Sequence, residues 1–145
     1  MKDFLNSQDA ELLRQHGLDT FDALWNYTAE TVDEPNTGRG GWSRVSRLEL
    51  EGRNYFLKRQ HNYLTRSLCH PLGEPTFAKE FRSIRYYQKQ GIPALTAAFY
   101  GQRKEGGGVD AVLLTHALDD WQDFNAFLEQ WDQLSETRRR GVLQA

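Results

Sequence analysis

The stretch that decides the fold is residues 38–58, which read GRGGWSRVSRLELEGRNYFLK. Its beginning is rich in glycine, and Glu51-Gly52 in its middle is typical of a tight turn. The flanking residues predict one strand at 43–50 and a second at 54–60. Residues 34–60 are therefore expected to form a glycine-rich loop that leads into an antiparallel hairpin.

The elements on either side of this hairpin predict an α+β fold. Residues 8–16 have helical composition and end at Gly17, and either Asp19 or Thr20 could cap a second short helix. The elements expected after the hairpin are an irregular loop at 61–75, an amphipathic helix at 76–90 that ends at Gly91, a second hairpin with strands at 94–103 and 109–115, and helices after Asp119. The expected architecture is a small antiparallel sheet with one packed helix and a short helical leader.

Composition narrows the class of protein. The 145 residues are 39% hydrophobic and 12% aromatic, which suits one core of ordinary size. A net charge of -2 at pH 7 argues against a nucleic-acid partner. No apolar run is long enough for a transmembrane segment, although contact with a membrane surface stays open. A single cysteine and the absence of a signal-peptide pattern favour a cytoplasmic location.

The glycine-rich segment fits a phosphate-binding pattern. Residues 38–45 match G-x-G-x-x-[G/S]-x-V, in which glycines allow backbone N–H groups to approach a phosphate closely. The candidate binding residues are Gly38, Gly40, Gly41, Ser43 and Val45. A glycine-rich turn that only opens a hairpin would show the same pattern, so this segment alone does not separate the two interpretations.

A lysine follows on the second strand of the hairpin. Because side chains alternate along a strand, Lys58 is expected to share a face with Asn54 and Phe56, while Tyr55 and Leu57 take the other face. Kinase folds place a lysine at this position to bind the α- and β-phosphates of ATP. The alternative is a solvated lysine at a strand end.

The predicted helix at 76–90 carries a possible partner for that lysine. Glu80 comes three residues after Phe77 and four before Ile84, so it lies on the apolar stripe of the helix. A carboxylate on a buried face is costly unless a cation compensates it, and Lys58 is a suitable cation. In kinases, a helix glutamate holds the phosphate-binding lysine in this way. The alternative places Glu80 at the edge of the stripe, in water.

These features resemble the lipopolysaccharide kinase family (Kdo/heptose kinases, InaA-like), whose members have a protein-kinase-like fold. The resemblance covers roughly residues 30–145 and rests on RGGWS at 39–43, FLKRQ at 56–60 and HPLGEPTFAKEF at 70–81. It implies phosphoryl transfer from ATP, with Mg²⁺, to a lipopolysaccharide core sugar or a related acceptor. It also implies a cytoplasmic protein, and peripheral contact with the inner membrane stays open.

The resemblance further implies a division into lobes: a helical leader at 1–30, a kinase-like N-terminal lobe with its hinge at 31–118, and the start of a C-terminal lobe at 119–145. Leu114 would take the gatekeeper position, and the backbone of Thr115 and Ala117 would meet adenine. Asp119 or Asp120 would approach the ribose. A buried strand followed by a turn would explain the same stretch.

The sequence departs from the kinase pattern in several places. Phe56 stands where kinases usually have a small alanine against adenine, so it would narrow the roof of the pocket, and Ser43 replaces the third glycine. No histidine begins an H-R-D-like run and no D-F-G occurs, whereas kinases use these segments to orient the acceptor and hold Mg²⁺. No metal site is expected, because His70 beside Cys69 lacks a second pair of ligands.

Three hypotheses follow. The chain is expected to be the N-terminal, ATP-binding part of a lipopolysaccharide-kinase-like phosphotransferase, with Lys58 and Glu80 as its catalytic residues and the remaining catalytic groups absent. The alternative is a non-catalytic kinase-like module with a stress or regulatory role. A third hypothesis is an unrelated α+β domain, which predicts that Lys58 and Glu80 lie far apart.

Overall fold

The computed structural model describes residues 2–28, 34–38, 40–119 and 129–144. The strands within these ranges are β1 (Phe4–Leu5), β2 (Asn36–Gly38), β3 (Gly41–Leu50), β4 (Arg53–His61), β5 (Leu64–Thr65), β6 (Glu74–Pro75), β7 (Ala97–Glu105) and β8 (Gly108–His116). The helices are α1 (Ala10–Gln15), α2 (Phe21–Asn26), α3 (Thr76–Lys89) and α4 (Glu136–Gln144), with a 3₁₀ turn at Trp131–Gln133. The main sheet is antiparallel, in the order β1-β7-β8-β4-β3-β2, and β5 pairs with β6.

The hairpin of β3 and β4 forms the middle of the fold, as the sequence predicts. Glu51 and Gly52 both have positive φ, at 50° and 79°, which suits a two-residue turn between twisted strands. The turn fixes a register in which Leu50 lies opposite Arg53 and Val45 lies opposite Lys58. The two predicted strands are confirmed, and each is slightly longer than predicted.

The sheet has two covered faces with separate cores. The leader helices α1 and α2 cover one face, where Leu13 and Leu24 pack with Tyr55 and Leu57. Helix α3 covers part of the other face, the part near Lys58. There Ile84 packs in a second core cluster with β7 and β8. The alternation of β4 between these faces is the one that the sequence predicts.

Helix α3 confirms the predicted amphipathic helix, and a side chain from the sheet forms a hydrogen bond with its first turn. The amide oxygen of fully buried Gln60 accepts a hydrogen bond from Phe77 N at 2.9 Å, which satisfies one donor of the first helical turn. The helix ends before Gly91, whose φ of 69° is the left-handed conformation typical of a helix C-terminus.

The leader is anchored to the sheet. Thr20 caps α2, because its hydroxyl accepts from Ala23 N at 3.3 Å. The guanidinium of Arg59 on β4 donates to the carbonyl oxygens of Trp25 at 2.9 Å and Tyr27 at 2.7 Å. Burial, with a smaller contribution from Arg44, lowers the pKa of Arg59. The predicted leader helices are confirmed, and Thr20 is the cap.

Four short strands lie where the sequence predicts none. Strand β1 pairs with β7 and forms one edge of the main sheet, β2 lies in the expected glycine-rich loop, and β5 and β6 pair across the loop expected to be irregular. Each is only two or three residues long, so it is set by its partner strand rather than by its own periodicity. Helices are expected after Asp119: α4 confirms one of them, and the segment directly after Asp119 lies mostly outside the described residues.

Candidate functional site

The predicted pair of Lys58 and Glu80 is present. The ammonium of Lys58 on β4 donates a hydrogen bond to Glu80 Oε1 on α3. The two side chains are 14% and 30% exposed, so the ion pair is largely shielded from water. Shielding strengthens the attraction and also makes the loss of either partner costly. Glu80 therefore points inward from the helix, which removes the support for an unrelated fold with the two residues apart.

The sheet register shows which residues share a face with Lys58. Directly paired residues on neighbouring strands project to the same side of a sheet. Val45 and Leu113 lie opposite Lys58, and Arg47 and Thr115 lie opposite half-buried Phe56. We call the part of this surface that extends from Lys58 toward Asn54 the Lys58 face. Helix α3 covers a neighbouring part of the same side of the sheet, and the Lys58 face begins where that covered core ends.

The glycine-rich segment forms a tight turn between β2 and β3, beside the end of β4. Gly38 pairs with Gly41, and Gly40 has a φ of 81°. A Cβ on Gly41 would lie 2.0 Å from the carbonyl oxygen of His61, so only glycine fits there. Asn62 Nδ2 also donates to the Gly40 carbonyl oxygen at 3.3 Å. The glycine at position 41 is thus required by packing within the protein, which the sequence pattern could not separate from contact with a phosphate.

The other two residues of the glycine pattern follow on β3. Ser43 lies opposite Gln60, and Val45 lies opposite Lys58 on the Lys58 face. Arg39 is outside the described residues.

The placement of Leu114 corrects the predicted gatekeeper. Leu114 lies opposite Leu57, and both side chains belong to the core under the leader helices. Leu114 therefore points away from the Lys58 face. Thr115, one residue later, is fully buried on the Lys58 face, and its hydroxyl has no hydrogen-bond partner within the described part of the chain. The residue of this stretch that projects to the Lys58 face is Thr115, one position after the predicted Leu114.

The backbone predicted to meet adenine is already engaged. Ala117 N donates to the carbonyl oxygen of Asn54 at 2.8 Å. Thr115 lies inside the sheet between Phe56 on β4 and Ala97 on β7. Because these groups complete the sheet, the expected contact of adenine with the Thr115 and Ala117 backbone does not fit this geometry.

A polar cluster that the sequence did not predict follows Phe56 on the same face. One carboxylate oxygen of Asp119 lies 2.9 Å from the guanidinium of Arg47, and the other accepts from Asn54 Nδ2 at 2.6 Å. Asn54 Oδ1 is buried and has no partner among the described residues. The only sequence signal was the period-two spacing that places Asn54 and Phe56 on one face. Asp120, the alternative ribose contact, is outside the described residues.

A second unpredicted cluster joins the leader to the end of β8. The fully buried carboxylate of Asp9 accepts from the Tyr55 hydroxyl at 2.9 Å and contacts His116 Nε2 at 3.0 Å. Arg53 lies 3.8 Å from the same carboxylate. Burial, reinforced by Asp9, raises the pKa of Tyr55 to about 12. These residues are far apart in sequence, so no local pattern could have revealed them.

Comparison with known proteins identifies the family. The sequence model of the "Lipopolysaccharide kinase (Kdo/WaaP) family" matches residues 22–145. The chain belongs to this family. Protein InaA of Escherichia coli (strain K12) is 27% identical over 130 residues, which cover 86% of this chain and 60% of InaA. The Kdo/WaaP family resemblance inferred from the sequence is therefore confirmed.

A solved structure of "WaaP in complex with acyl carrier protein" is similar in fold. It aligns with a TM-score of 0.61 and 25% identity over 91% of this chain and 47% of the WaaP chain. The chain thus spans 60% of InaA and 47% of that WaaP chain. A mixed α/β chain with a mostly antiparallel sheet is consistent with a kinase-like fold for this Kdo/WaaP family member.

The described residues offer neither a membrane-spanning helix nor a cluster of metal ligands. None of their helices combines the length and the apolar character needed to span a membrane. The same ranges contain no group of three or more His, Cys, Asp or Glu side chains that could hold a metal ion. His70, which the sequence placed beside exposed Cys69, lies 3.4 Å from Glu74.

Proposed function

We propose that the Lys58 face is the roof of a nucleotide site, and that this chain is the ATP-binding part of a lipopolysaccharide-kinase-like phosphotransferase. The reaction would transfer a phosphoryl group from ATP to a hydroxyl of a lipopolysaccharide core sugar or a related acceptor. The observation that carries this proposal is the Lys58–Glu80 ion pair, which joins the sheet to α3 next to a glycine turn, in a member of the Kdo/WaaP family.

The chemistry of the pair suits nucleotide phosphates. A lysine ammonium has three donors and a compact charge, so it can hold phosphate oxygens while Glu80 accepts one of its hydrogen bonds. Because Glu80 holds the ammonium, the ion pair would orient Lys58 toward the phosphates. Positioned charge of this kind is the main contribution of a kinase fold to phosphoryl transfer.

The neighbouring residues suit the base and the ribose. Phe56 would pack its ring against the base. A smaller residue at this position would leave more space between the sheet and the base. The buried hydroxyl of Thr115 and the buried Asn54 Oδ1 lack partners among the described residues, so each could bond to a polar ligand atom. Asp119, held by Arg47 and Asn54, would accept from a ribose hydroxyl.

Other parts of the proposal concern the whole protein. In this proposal residues 31–118 form an N-terminal kinase lobe, residues 1–30 brace it, and residues 119–145 begin a second lobe.

Mg²⁺ would accompany ATP, and no described residue is assigned to it. We place the protein in the cytoplasm, where ATP is available. Because the similar WaaP structure is a complex with acyl carrier protein, that protein is a partner to test by co-purification.

Isothermal titration of the chain with ATP and Mg²⁺ tests the proposal. Loss of one charge-assisted phosphate contact in Lys58→Met should weaken binding about tenfold or more. Lys89→Gln, an exposed lysine on the same helix as Glu80, is the matched control and should bind as the natural chain does. Equal affinity in all three proteins would reject a site at Lys58 and favour the non-catalytic module.

A further inference from the structure

Two side chains of β4 hold helix α3. Lys58 donates to Glu80 Oε1 on the helix. Gln60, two residues later on the same strand, accepts from the backbone N–H of Phe77 at 2.9 Å. Because side chains alternate along a strand, Lys58 and Gln60 project to the same side of the sheet. Phe77 and Glu80 are three residues apart, so α3 is attached to β4 at two points about one helical turn apart.

The side-chain amide of Gln60 is held in one orientation. Its Nε2 donates to the carbonyl oxygen of Tyr63 at 2.6 Å, which leaves Oε1 as the acceptor that faces α3. The same carbonyl oxygen accepts from the backbone N–H and from the hydroxyl of Thr76, both at 3.3 Å, so it is itself tied to the start of the helix. Gln60 is fully buried, so its amide cannot rotate without breaking hydrogen bonds that water cannot replace there.

The hydrogen bond from Gln60 defines the position of α3 in a way that apolar packing does not. Ile84 and its neighbours on α3 pack against the sheet in the second core cluster. Apolar contacts carry no direction, whereas a hydrogen bond weakens steeply when its donor and acceptor move out of line. Phe77 and Glu80 belong to one helical turn, so a slide or rotation of α3 that breaks the Gln60 contact also moves Glu80 away from Lys58.

We propose that Gln60 is a positioning residue for the nucleotide site, because it fixes α3 at the place from which Glu80 reaches Lys58. The effect on ATP rests on the proposed function, whereas the effect on the ion pair needs no nucleotide. Gln60 would not touch ATP, since it is fully buried and both ends of its amide are bonded within the protein. It acts on the phosphate-binding lysine through Glu80.

ATP titration of a double-mutant cycle tests whether Gln60 acts through Glu80. Gln60→Met removes the amide at similar volume and should weaken ATP binding about threefold to tenfold, the range of one weakened hydrogen bond at the phosphates. In a Glu80→Gln background the same change should alter the affinity by less than about twofold, because the contact that Gln60 positions is already lost. Gln88→Met, at an exposed position on α3, is the matched control and should bind ATP as the natural chain does. Thr20→Ala, which removes the cap of α2, controls for a general loss of stability and should also leave ATP binding unchanged.

Two measurements without nucleotide test the same link. The coupling between Lys58 and Glu80, measured by urea unfolding, should fall to about half or less in a Gln60→Met background. Because coupling is reciprocal, breaking the ion pair with Lys58→Met should loosen the Gln60 contact. Hydrogen exchange of the Phe77 amide should then become at least about threefold faster relative to the Leu13 amide on α1, which reports changes elsewhere in the fold.

Three results would overturn the positioning role. The first is a Gln60→Met change that leaves ATP affinity as it is, or that lowers it equally with and without Glu80→Gln. The others are an unchanged coupling between Lys58 and Glu80 and an unchanged exchange rate at Phe77. The exchange measurement keeps Gln60 intact, so it decides the question even if Gln60→Met does not fold. If the natural chain does not bind ATP, the proposed function fails, while the coupling and the exchange rate still decide whether Gln60 holds Glu80 at Lys58.

Discussion

The Lys58–Glu80 pair predicts an asymmetric response to mutation. Glu80→Gln leaves the ammonium of Lys58, which is only 14% exposed, without its counter-charge. Lys58→Met removes the ammonium instead and leaves Glu80, which at 30% exposure can turn toward water. Stranding the more buried charge costs more, so Glu80→Gln should be the more destabilising of the two changes.

The geometry sets the size of the effect. Leaving a mostly buried charged group unsatisfied costs about 2–3 kcal/mol, whereas Lys58→Met should cost about 1 kcal/mol, because the methionine keeps most of the apolar stem. The double variant should be less destabilised than Glu80→Gln alone. The coupling energy between the two residues should therefore be about 1–2 kcal/mol.

Urea unfolding of the natural chain, both single variants and the double variant measures this coupling. The pair of Arg140 and Glu136 on α4 is the matched control, because its side chains are 72% and 78% exposed and its coupling should stay below about 0.5 kcal/mol. If the Lys58 and Glu80 effects add within about 0.3–0.5 kcal/mol, the two side chains do not interact in solution, which would contradict the ion pair.

Three further changes have defined outcomes. Gly41→Ala should lower the urea midpoint by an amount equivalent to about 1–3 kcal/mol, because its Cβ would meet the backbone of His61 at 2.0 Å; an unchanged midpoint would show that the turn can shift freely. Burial raises the pKa of Tyr55 to about 12, so the folded chain keeps a proton that an unfolded tyrosine loses near pH 10. Stability should fall between about pH 10 and 12, and Tyr55→Phe should make that fall less steep. Hydrogen bonding from Arg82 lowers the pKa of Glu74, so the stability that this pair adds should be present at neutral pH and disappear as pH falls below about 4.3. Glu74→Gln should make the loss of stability at acid pH smaller, and an unchanged loss would contradict the pairing of Glu74 with Arg82.

Elements with a clear period could be predicted from the sequence. The apolar stripe of 76–90 predicts α3 and the position of Glu80 on its inner face. Alternation along 54–60 predicts that Lys58 and Tyr55 project to different faces of the sheet. Glycine at position 91 marked the end of the helix because a left-handed residue is needed there. These features depend on local geometry, which the sequence specifies directly.

The phase of β8 could not be predicted in the same way. Residues 111–115 are all buried, because the leader core covers one face and the core under α3 covers part of the other. A strand buried on both faces reads as a continuous apolar run, so no alternation shows which residue faces which side. The sequence therefore could not show that Leu114 points into the core under the leader helices or that Thr115 projects to the Lys58 face.

Contacts between distant segments were also beyond the sequence. Asp9 reaches Tyr55 and His116 across much of the chain, and Asp119 meets Arg47 only because β3, β4 and β8 are neighbours in the sheet. Each charged residue alone would be expected on the surface. Only the fold brings the members of each cluster together.

Labelling with an acyl-phosphate derivative of ATP tests the nucleotide site most directly. The reagent transfers its acyl group to a lysine amine that lies beside the bound phosphates, and mass spectrometry identifies the acylated residue among Lys2, Lys58, Lys79, Lys89 and Lys104. A nucleotide site on the Lys58 face predicts that Lys58 is labelled preferentially and that excess ATP suppresses this labelling. Labelling spread over the exposed lysines, or labelling of Lys58 that excess ATP leaves unchanged, would contradict it.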